Sequence, residues 1–134
     1  MSKYEVRQDV MYTETHEWIK LEEENIATIG ITDYAQQKLH EIVYVEFTKG
    51  PGDQVSAGDT VAIVESIKTS AEVYTPIGGE IVEVNTRLEE EPELINNSPY
   101  DDGWIVKIKS PSAKKDLEKC LSPHEYEKTI AEEK

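Results

Sequence analysis

Alternating hydrophobic and polar positions predict a chain built mainly from short β-strands. Residues 19–21 and 26–31 form the predicted arms of a first hairpin, and the charged residues 22–25 form its turn. In the next alternating segment, Val43, Val45 and Phe47 fall on one side of a strand. Because side chains alternate between the faces of a strand, these three are expected to share one face.

A last strand is predicted near residue 104, where apolar residues again occupy every second position. Trp104, Val106 and Ile108 are expected to be buried, and Lys107 and Lys109 to be exposed.

Predicted helices are few and short. Thr32 is a suitable cap for a helix over residues 33–39, whose acidic first and basic later residues complement the helix dipole. Residues 86–102 contain clusters of Glu, Asn, Asp and Pro. Such clusters predict loops, here with at most one helical turn at residues 93–96.

The end of the chain, from about residue 113, is predicted to be a helical tail. A first helix is expected over residues 113–121. Ser122, Pro123 and Glu125 then match a capping box with proline at the first helical position, so a second helix is predicted to begin there.

Length and composition favour one domain, because 134 residues can bury a modest core without disulfide support. Residues 1–11 are polar and lack periodicity, which predicts a loosely ordered N-terminus. Residues 12–134 are predicted to form a single domain. A monomer is expected, since no long apolar helix face remains once the tail has packed.

The chain is strongly acidic, with 28 Asp and Glu against 14 Lys and Arg and a net charge of −14. Affinity for nucleic acids and anionic membranes is built mainly on Lys and Arg, so neither is an expected partner. No apolar run approaches the roughly 20 residues of a membrane span. Residues 1–10 have neither the apolar core of a signal peptide nor the Arg- and Ser-rich, acid-poor composition of an organelle presequence. The cytoplasm of a prokaryote is expected, or a mitochondrion only if a transit peptide has been removed.

One lysine lies between two β-branched runs. Residues 61–64 and 71–75 favour strands, so Lys68 is predicted at or next to the tip of a hairpin. Most turn lysines only favour solubility. The functional alternative is that Lys68 is displayed as an attachment point for a covalent group. Lys49 is the main rival, but Pro51 and two glycines make its turn irregular.

Other candidate sites are weaker. Cys120 is interpreted as a small, partly buried hydrophobe on a helix face rather than a nucleophile. His16 and Glu17 are adjacent in a predicted strand, so their side chains are expected to point to opposite faces. Phosphate-binding glycine loops, G-x-S-x-G turns and H-E-x-x-H motifs do not occur in the sequence. The sequence therefore gives little support to an enzymatic function.

Several stretches resemble glycine cleavage system H proteins, namely THEWIK, IATIGITDYAQ, VESIKTSAEVYTPIGGEIVEVN and LINNSPYDDGWIVKIK. The resemblance covers roughly residues 12–130. It implies a mainly β barrel-sandwich hybrid fold (the lipoyl/biotinyl-like hammerhead) with short helices, forming a single lipoyl-carrier domain. It also implies lipoic acid in amide linkage to Lys68. Biotin carriers and the lipoyl domains of 2-oxo acid dehydrogenases usually have other residues beside the lysine.

A short internal repeat agrees with this fold. HEIVYVEF at 40–47 and GEIVEVN at 79–85 look like two versions of one segment. A repeat this short is weak evidence alone. It is consistent with the two quasi-equivalent halves of the implied fold.

The resemblance implies a non-catalytic carrier of the glycine cleavage system. Its lipoyl arm would take the aminomethyl group from a PLP-dependent glycine decarboxylase to a tetrahydrofolate-dependent aminomethyltransferase. It would then pass electrons to dihydrolipoamide dehydrogenase, and a lipoate ligase or octanoyltransferase would attach the arm. Two alternatives stay open: a lipoyl or octanoyl donor to other enzymes, and an unmodified β-rich interaction module.

The family also shelters the loaded arm in a cleft on its own surface. The matching residues are Thr15, Glu17 and Glu72, of which Thr15 stands where serine is frequent and Glu72 where aspartate is frequent. His40 replaces a common glycine, which is expected to affect the backbone before the strand at residues 43–47.

Overall fold

The computed structural model describes residues 3–23 and 25–133. Residue 24 of the predicted first turn, residues 1–2 of the predicted loose N-terminus and residue 134 of the predicted tail lie outside the described residues. The strands are β1 (Met11–Tyr12), β2 (Glu17–Glu23), β3 (Ile26–Ile31), β4 (Ile42–Phe47), β5 (Gln54–Val55), β6 (Thr60–Ser66), β7 (Ser70–Tyr74), β8 (Gly79–Val84) and β9 (Val106–Lys109). The helices are α1 (Asp33–Leu39), α2 (Arg87–Glu90), α3 (Leu94–Asn97), α4 (Ala113–Leu117) and α5 (Pro123–Glu132).

Two antiparallel sheets enclose the main core. The larger has the strand order β1-β2-β3-β9-β8-β5, and the smaller has the order β4-β6-β7. Buried side chains from both sheets form one cluster, to which Ile29 and Val106 contribute from the first sheet and Val64 and Val73 from the second. The predicted mainly β, barrel-sandwich class is confirmed, with the two sheets arranged as a sandwich rather than closed into a barrel.

The first predicted hairpin is confirmed as β2 and β3. Trp18 lies opposite Gly30 across this pair. A Cβ atom on Gly30 would come within 2.7 Å of the Trp18 indole, so only glycine leaves room for the ring. The indole N–H donates to the carbonyl of Pro99 at 2.9 Å, which satisfies the polar edge of this buried side chain.

Strand β4 departs from the predicted alternation because it contains a bulge. The register moves from Ile42 opposite Ser66 to Tyr44 opposite Glu65, which leaves Val43 as an extra residue. Val43 is 48% exposed and Tyr44 50% exposed. The prediction that Val43 shares a face with Val45 is therefore wrong, because the inserted residue shifts the alternation before the buried Val45.

Strand β8 contains the same irregularity. Its register moves from Ile81 opposite Ile108 to Glu83 opposite Lys107, so Val82 is the extra residue. Val82 is exposed while Ile81 is buried, as are their counterparts Val43 and Ile42 in β4. The internal repeat thus has a structural counterpart: its two copies form bulged strands in different sheets.

Strand β9 begins later than the alternation suggests. Val106 and Ile108 are buried as predicted, but Trp104 precedes the strand and is only half-buried. Lys107 places its ammonium 5.1 Å from the centre of the Trp104 ring. Ile105 takes the fully buried position instead, and its N–H donates to Ile29. The prediction of a buried Trp104 is therefore wrong, since the chain enters the sheet only after residue 105.

Helix α1 confirms the predicted cap, because the Thr32 hydroxyl accepts a hydrogen bond from the N–H of Ala35. The prediction of at most one helical turn between residues 86 and 102 is wrong. The structure has two, α2 and α3. Each buries one side chain of the LEEEPELI stretch in the core, Leu88 and Ile95 respectively. Tertiary burial therefore stabilises turns that local propensity does not indicate.

The tail is less continuous than predicted. Helix α4 ends at Leu117, because Leu121 instead forms a β-bridge with Tyr12. The capping box of α5 is confirmed: Ser122 and Glu125 each accept a hydrogen bond from the other's backbone N–H. Tyr126 on α5 stacks on Tyr12, with ring centres 4.3 Å apart.

The N-terminal region contributes to a second, aromatic cluster. Val10 is buried with Tyr12, Trp18 and Tyr100, and Met11 begins strand β1. Helix α5 covers this cluster through Tyr126. Nowhere in the described ranges is a helix both long and apolar enough to cross a membrane.

Candidate functional site

Lys68 lies in the turn between β6 and β7, as predicted from the two β-branched runs. Its side chain is exposed, and the neighbouring Ile67 is 72% exposed. The turn joins the last pair of the ladder, Glu65 opposite Ser70. An ammonium in this position stays hydrated, so its display costs little free energy.

The side chain of Ser66 closes this turn. The Ser66 N–H donates to the carbonyl of Thr69 at 2.8 Å, and the Ser66 hydroxyl donates to the same carbonyl at 3.1 Å. The Thr69 N–H donates back to the Ser66 hydroxyl at 3.2 Å. Ser66 is buried, so the base of the turn is fixed while Ile67 and Lys68 project from it.

Lys49, the predicted rival, has a different setting. It precedes a loop closed by the Asp53 side chain, which accepts a hydrogen bond from the Gly50 N–H at 2.8 Å. Gly52 in this loop has a positive φ of 95°. Lys49 itself is half-buried, whereas Lys68 is exposed.

A surface groove lies directly beside Lys68. It has a volume of about 300 Å³ and is lined by Leu39, His40, Glu41, Ile67 and Lys68. His40 has φ 68° and ψ −149°, a backbone conformation almost restricted to glycine. His40 therefore has a glycine-like backbone at the end of α1, immediately before β4, and the expected effect of the replacement on the backbone stays a prediction.

Glu17, one of the predicted cleft residues, is a buried carboxylate on β2. Its Oε1 accepts hydrogen bonds from the hydroxyls of Thr13 at 2.5 Å and Thr15 at 2.6 Å. Its Oε2 accepts one from the N–H of Tyr74 at 3.2 Å. Because β7 is the edge strand of its sheet, this contact links the two sheets through one side chain.

Burial raises the pKa of the Glu17 carboxyl above its ordinary value, and the hydrogen bonds from Thr13, Thr15 and Tyr74 oppose this effect. Desolvation is the larger contribution. The site therefore holds a carboxyl group whose charge is only partly compensated by neutral donors.

Glu72, the third predicted cleft residue, is exposed on β7 and does not contact Glu17 directly. Its Oε1 accepts from the Thr60 hydroxyl at 2.8 Å. Tyr74 connects the two acids, since its N–H donates to Glu17 and its hydroxyl lies 3.5 Å from Glu72 Oε2. From Ser70 beside the turn to Tyr74, an extended strand covers about 13 Å.

The sequence reasoning missed Thr13 and Tyr74. Thr13, Thr15 and Glu17 occur at alternate positions, and this spacing could have indicated that Thr13 lies on the same side of the chain as the other two. No sequence signal indicated Tyr74, because it contributes a backbone N–H to Glu17 rather than a side chain.

His16 contacts other residues than Glu17, as predicted, but it lies before β2 with a positive φ of 70° rather than inside the strand, so strand alternation is not the reason. Its Nδ1 lies 2.9 Å from the Tyr126 hydroxyl and its Nε2 lies 3.0 Å from Glu133. Cys120 is half-buried against the core, and burial raises the pKa of its thiol. A raised thiol pKa disfavours the nucleophilic thiolate, which agrees with the structural interpretation of Cys120.

Comparisons with known proteins agree on one family. A family model described as "Glycine cleavage H-protein" matches residues 10–133. A protein named "Probable glycine cleavage system H protein 1", from Saccharolobus solfataricus, is 47% identical over 126 residues, covering 94% of this chain and 91% of the relative. A "Glycine cleavage system H protein" from Staphylococcus epidermidis is 48% identical over 127 residues, covering 95% and 98%.

A solved structure is also similar. It is titled as a glycine cleavage system H protein from Mycobacterium marinum, with a TM-score of 0.84 and 31% sequence identity. The match covers 94% of this chain and 99% of that one.

Proposed function

The chain belongs to the glycine cleavage H-protein family, and from this premise we propose that it carries a lipoyl group on Lys68 as the shuttle of a glycine cleavage system. The observation that carries the proposal is the turn itself. Lys68 is exposed on a two-strand base whose closing contacts come from the buried Ser66. A modifying enzyme needs access to the amine, and a carrier needs a fixed point from which the arm swings.

The residues present fit a lipoyl group. The amine of Lys68 provides the nitrogen of the amide bond, and the groove beside it is lined by the apolar side chains of Leu39 and Ile67. When bound, the dithiolane of the lipoyl group supplies a disulfide that accepts a carbon unit and two electrons. The chain itself contributes position and shelter, so we propose a non-catalytic component.

We further propose that Glu17 and its donors form the sheltering cleft. An amine brought to this site meets a carboxylate that is already desolvated and held by Thr13 and Thr15. Such a carboxylate forms a stronger charge-assisted hydrogen bond than an exposed one. Glu72 lies on β7 between the turn and Tyr74, so an arm that extends along this strand from Lys68 to Glu17 passes beside it.

The proposed partners are a glycine decarboxylase, an aminomethyltransferase, a dihydrolipoamide dehydrogenase, and a lipoate ligase or octanoyltransferase. Tethering explains the need for a carrier, because an arm attached to a docked protein presents its sulfur at a high effective concentration. The chain is proposed to act as a monomer.

The test is reconstitution with a purified glycine decarboxylase. The lipoylated protein is expected to support exchange of labelled bicarbonate into glycine, and a Lys68→Arg variant treated with the same ligase is expected to support none. A protein that is lipoylated on Lys68 but supports no exchange would contradict the shuttle role and favour the lipoyl-donor alternative. A protein that is not acylated at all would contradict both and leave the interaction module.

A further inference from the structure

Exposed apolar side chains lie next to the turn that presents Lys68. Val43 is 48% exposed, Tyr44 50% and Ile67 72%. These three residues are called the tip patch below. Exposed apolar side chains grouped in one place usually mark a contact surface.

The strand register places the tip patch beside Lys68. Tyr44 lies opposite Glu65, and Glu65 lies opposite Ser70, so these residues form a row across the three strands next to the turn. The bulge directs Val43 and Tyr44 to the outer side together, since the residues on both sides of them are buried. Ile67 precedes Lys68 within the turn itself.

Acidic side chains lie behind the tip patch on the same face. The next row across the sheet consists of Glu46, Ile63 and Glu72. Glu46 and Glu72 are exposed, and Glu65 in the first row is half-buried. Within residues 3–23 and 25–133, the ion pairs found involve other residues, so these acids are not neutralised by neighbouring basic side chains. The face thus combines an apolar end with a negatively charged border.

We propose that the tip patch is the docking site for the enzyme that acylates Lys68. This inference rests on the proposed function. Acylation requires the Lys68 Nζ to enter the active site of the enzyme. Because Nζ lies only one side chain away from the turn, the acylating enzyme must come close to the turn. Enzymes that use the finished arm meet its far end and approach the turn less closely. The acylating enzyme must therefore cover Val43, Tyr44 and Ile67.

The chemistry defines the complementary surface. The uncharged Lys68 amine attacks the carbonyl carbon of an activated acyl donor, such as an acyl adenylate. A C–N bond forms, AMP leaves with the electrons of the broken C–O bond, and a nitrogen proton passes to a base. The enzyme surface around this site contains an apolar socket for the tip patch and a basic rim for Glu46, Glu65 and Glu72.

The experiment uses the full chain and a purified ATP-dependent lipoate ligase with lipoate and ATP. The test variant is Val43→Ser with Tyr44→Ser, and Ile67→Ser is a second variant that changes no strand pair. Val82→Ser is the matched control, because Val82 occupies the same bulge position in β8 on the other sheet. Circular dichroism and thermal unfolding establish that each variant is folded.

Both tip variants are expected to raise the KM of the ligase for the protein by about tenfold, with kcat little changed and with the Val82→Ser control unaffected. KM is also expected to rise with ionic strength, because the rim charges are screened. An unchanged KM, a fall in kcat alone, or an equal effect in the control would overturn the proposal. The proposal would also be overturned if the tip variants are acylated normally but, once lipoylated, do not support the decarboxylase reaction. The tip patch would then be the contact surface for the decarboxylase. If the unaltered chain is not acylated, the proposed function fails first, and that result is distinct from all of these.

Discussion

Strand β4 in the three-stranded sheet and strand β8 in the six-stranded sheet carry the same bulge, at Val43 and Val82. In each strand a buried isoleucine, Ile42 or Ile81, is followed directly by the exposed bulged valine. The surfaces that follow differ. Strand β4 continues with the exposed Tyr44, whereas β8 continues with Glu83 opposite Lys107.

This difference separates what the fold requires from what it does not. The bulge occurs in both copies of the repeat, so it belongs to the architecture. Both copies expose the bulged valine, but only the β4 copy follows it with an exposed apolar residue, Tyr44, so the bulge alone does not explain Tyr44. The two copies also differ at their first position. The backbone has a positive φ there in both copies, 155° at Gly79 and 68° at His40. Only in the β4 copy does a residue with a side chain occupy that position.

The largest effect is expected from placing a side chain at the first position of the β8 copy. In Gly79→Ala, the new Cβ would lie 2.4 Å from the Lys109 carbonyl oxygen, in a backbone conformation that disfavours any L side chain. We expect a loss of about 3 kcal/mol in the free energy of unfolding. Urea denaturation measures it, with Gly50→Ala as the control, since a Cβ on Gly50 meets nothing within 4 Å. A loss no larger than that of the control would contradict the assigned conformation.

The next effect concerns the acid that links the β4 sheet to β2. Glu17→Ala leaves the Tyr74 N–H and the Thr13 and Thr15 hydroxyls without their acceptor, so we expect a loss of about 2 kcal/mol in the free energy of unfolding. The matched variant Glu83→Ala removes an exposed acid from β8 and is expected to change stability by less than about 0.5 kcal/mol. Equal losses in chemical denaturation would show that Glu17 has no structural role beyond an ordinary surface acid.

A smaller, opposite effect is expected at His40. His40→Gly relieves the strain of φ 68°, ψ −149°, which costs about 1–3 kcal/mol, against a glycine entropy penalty of about 0.5–1 kcal/mol. We expect a net gain of about 1 kcal/mol. His40→Ala keeps the Cβ and is expected to give no such gain. A thermal melt in which His40→Gly is the less stable of the two variants would refute this account of the first repeat position.

The smallest effect is the pH dependence contributed by Glu17. Burial raises the pKa of this carboxyl in the folded state, so the folded chain binds the proton more tightly than the unfolded chain does. Stability from this group is therefore greatest at low pH and falls as pH rises through the unfolded and then the folded pKa. Glu17→Gln lacks the ionisation, so the stability of the unaltered chain relative to this variant is expected to decline as the pH rises from below to above the ordinary glutamate pKa of about 4.3. A relative stability that rises with pH over this range would contradict the raised pKa of Glu17.

Much of the fold was predictable because local and tertiary preferences agree. The hairpin β2–β3, the Thr32 cap, the Ser122 capping box and the hairpin around Lys68 all combine the right local residues with the right periodicity. The errors occur where tertiary contacts decide. The Val43 bulge depends on pairing with β6, and α4 ends early because Leu121 pairs with Tyr12.

The candidate site divides in the same way. The turn predicted the position of Lys68, whereas its proposed role and those of Thr15, Glu17 and Glu72 were implied by the resemblance. The contribution of Tyr74 is a backbone N–H on an edge strand, which depends on sheet order rather than on residue type. The tip patch was missed because the alternation predicted Val43 on the same face as the buried Val45, and only the bulge exposes it.

The most direct test of the central proposal is peptide mapping by mass spectrometry after incubation with a lipoate ligase, lipoate and ATP. We predict one lipoyl increment on the peptide that contains Lys68, its complete loss in Lys68→Arg, and its retention in Lys49→Arg. A Lys68 peptide without the increment, or an increment that persists in Lys68→Arg, would contradict the assignment of Lys68 as the attachment site.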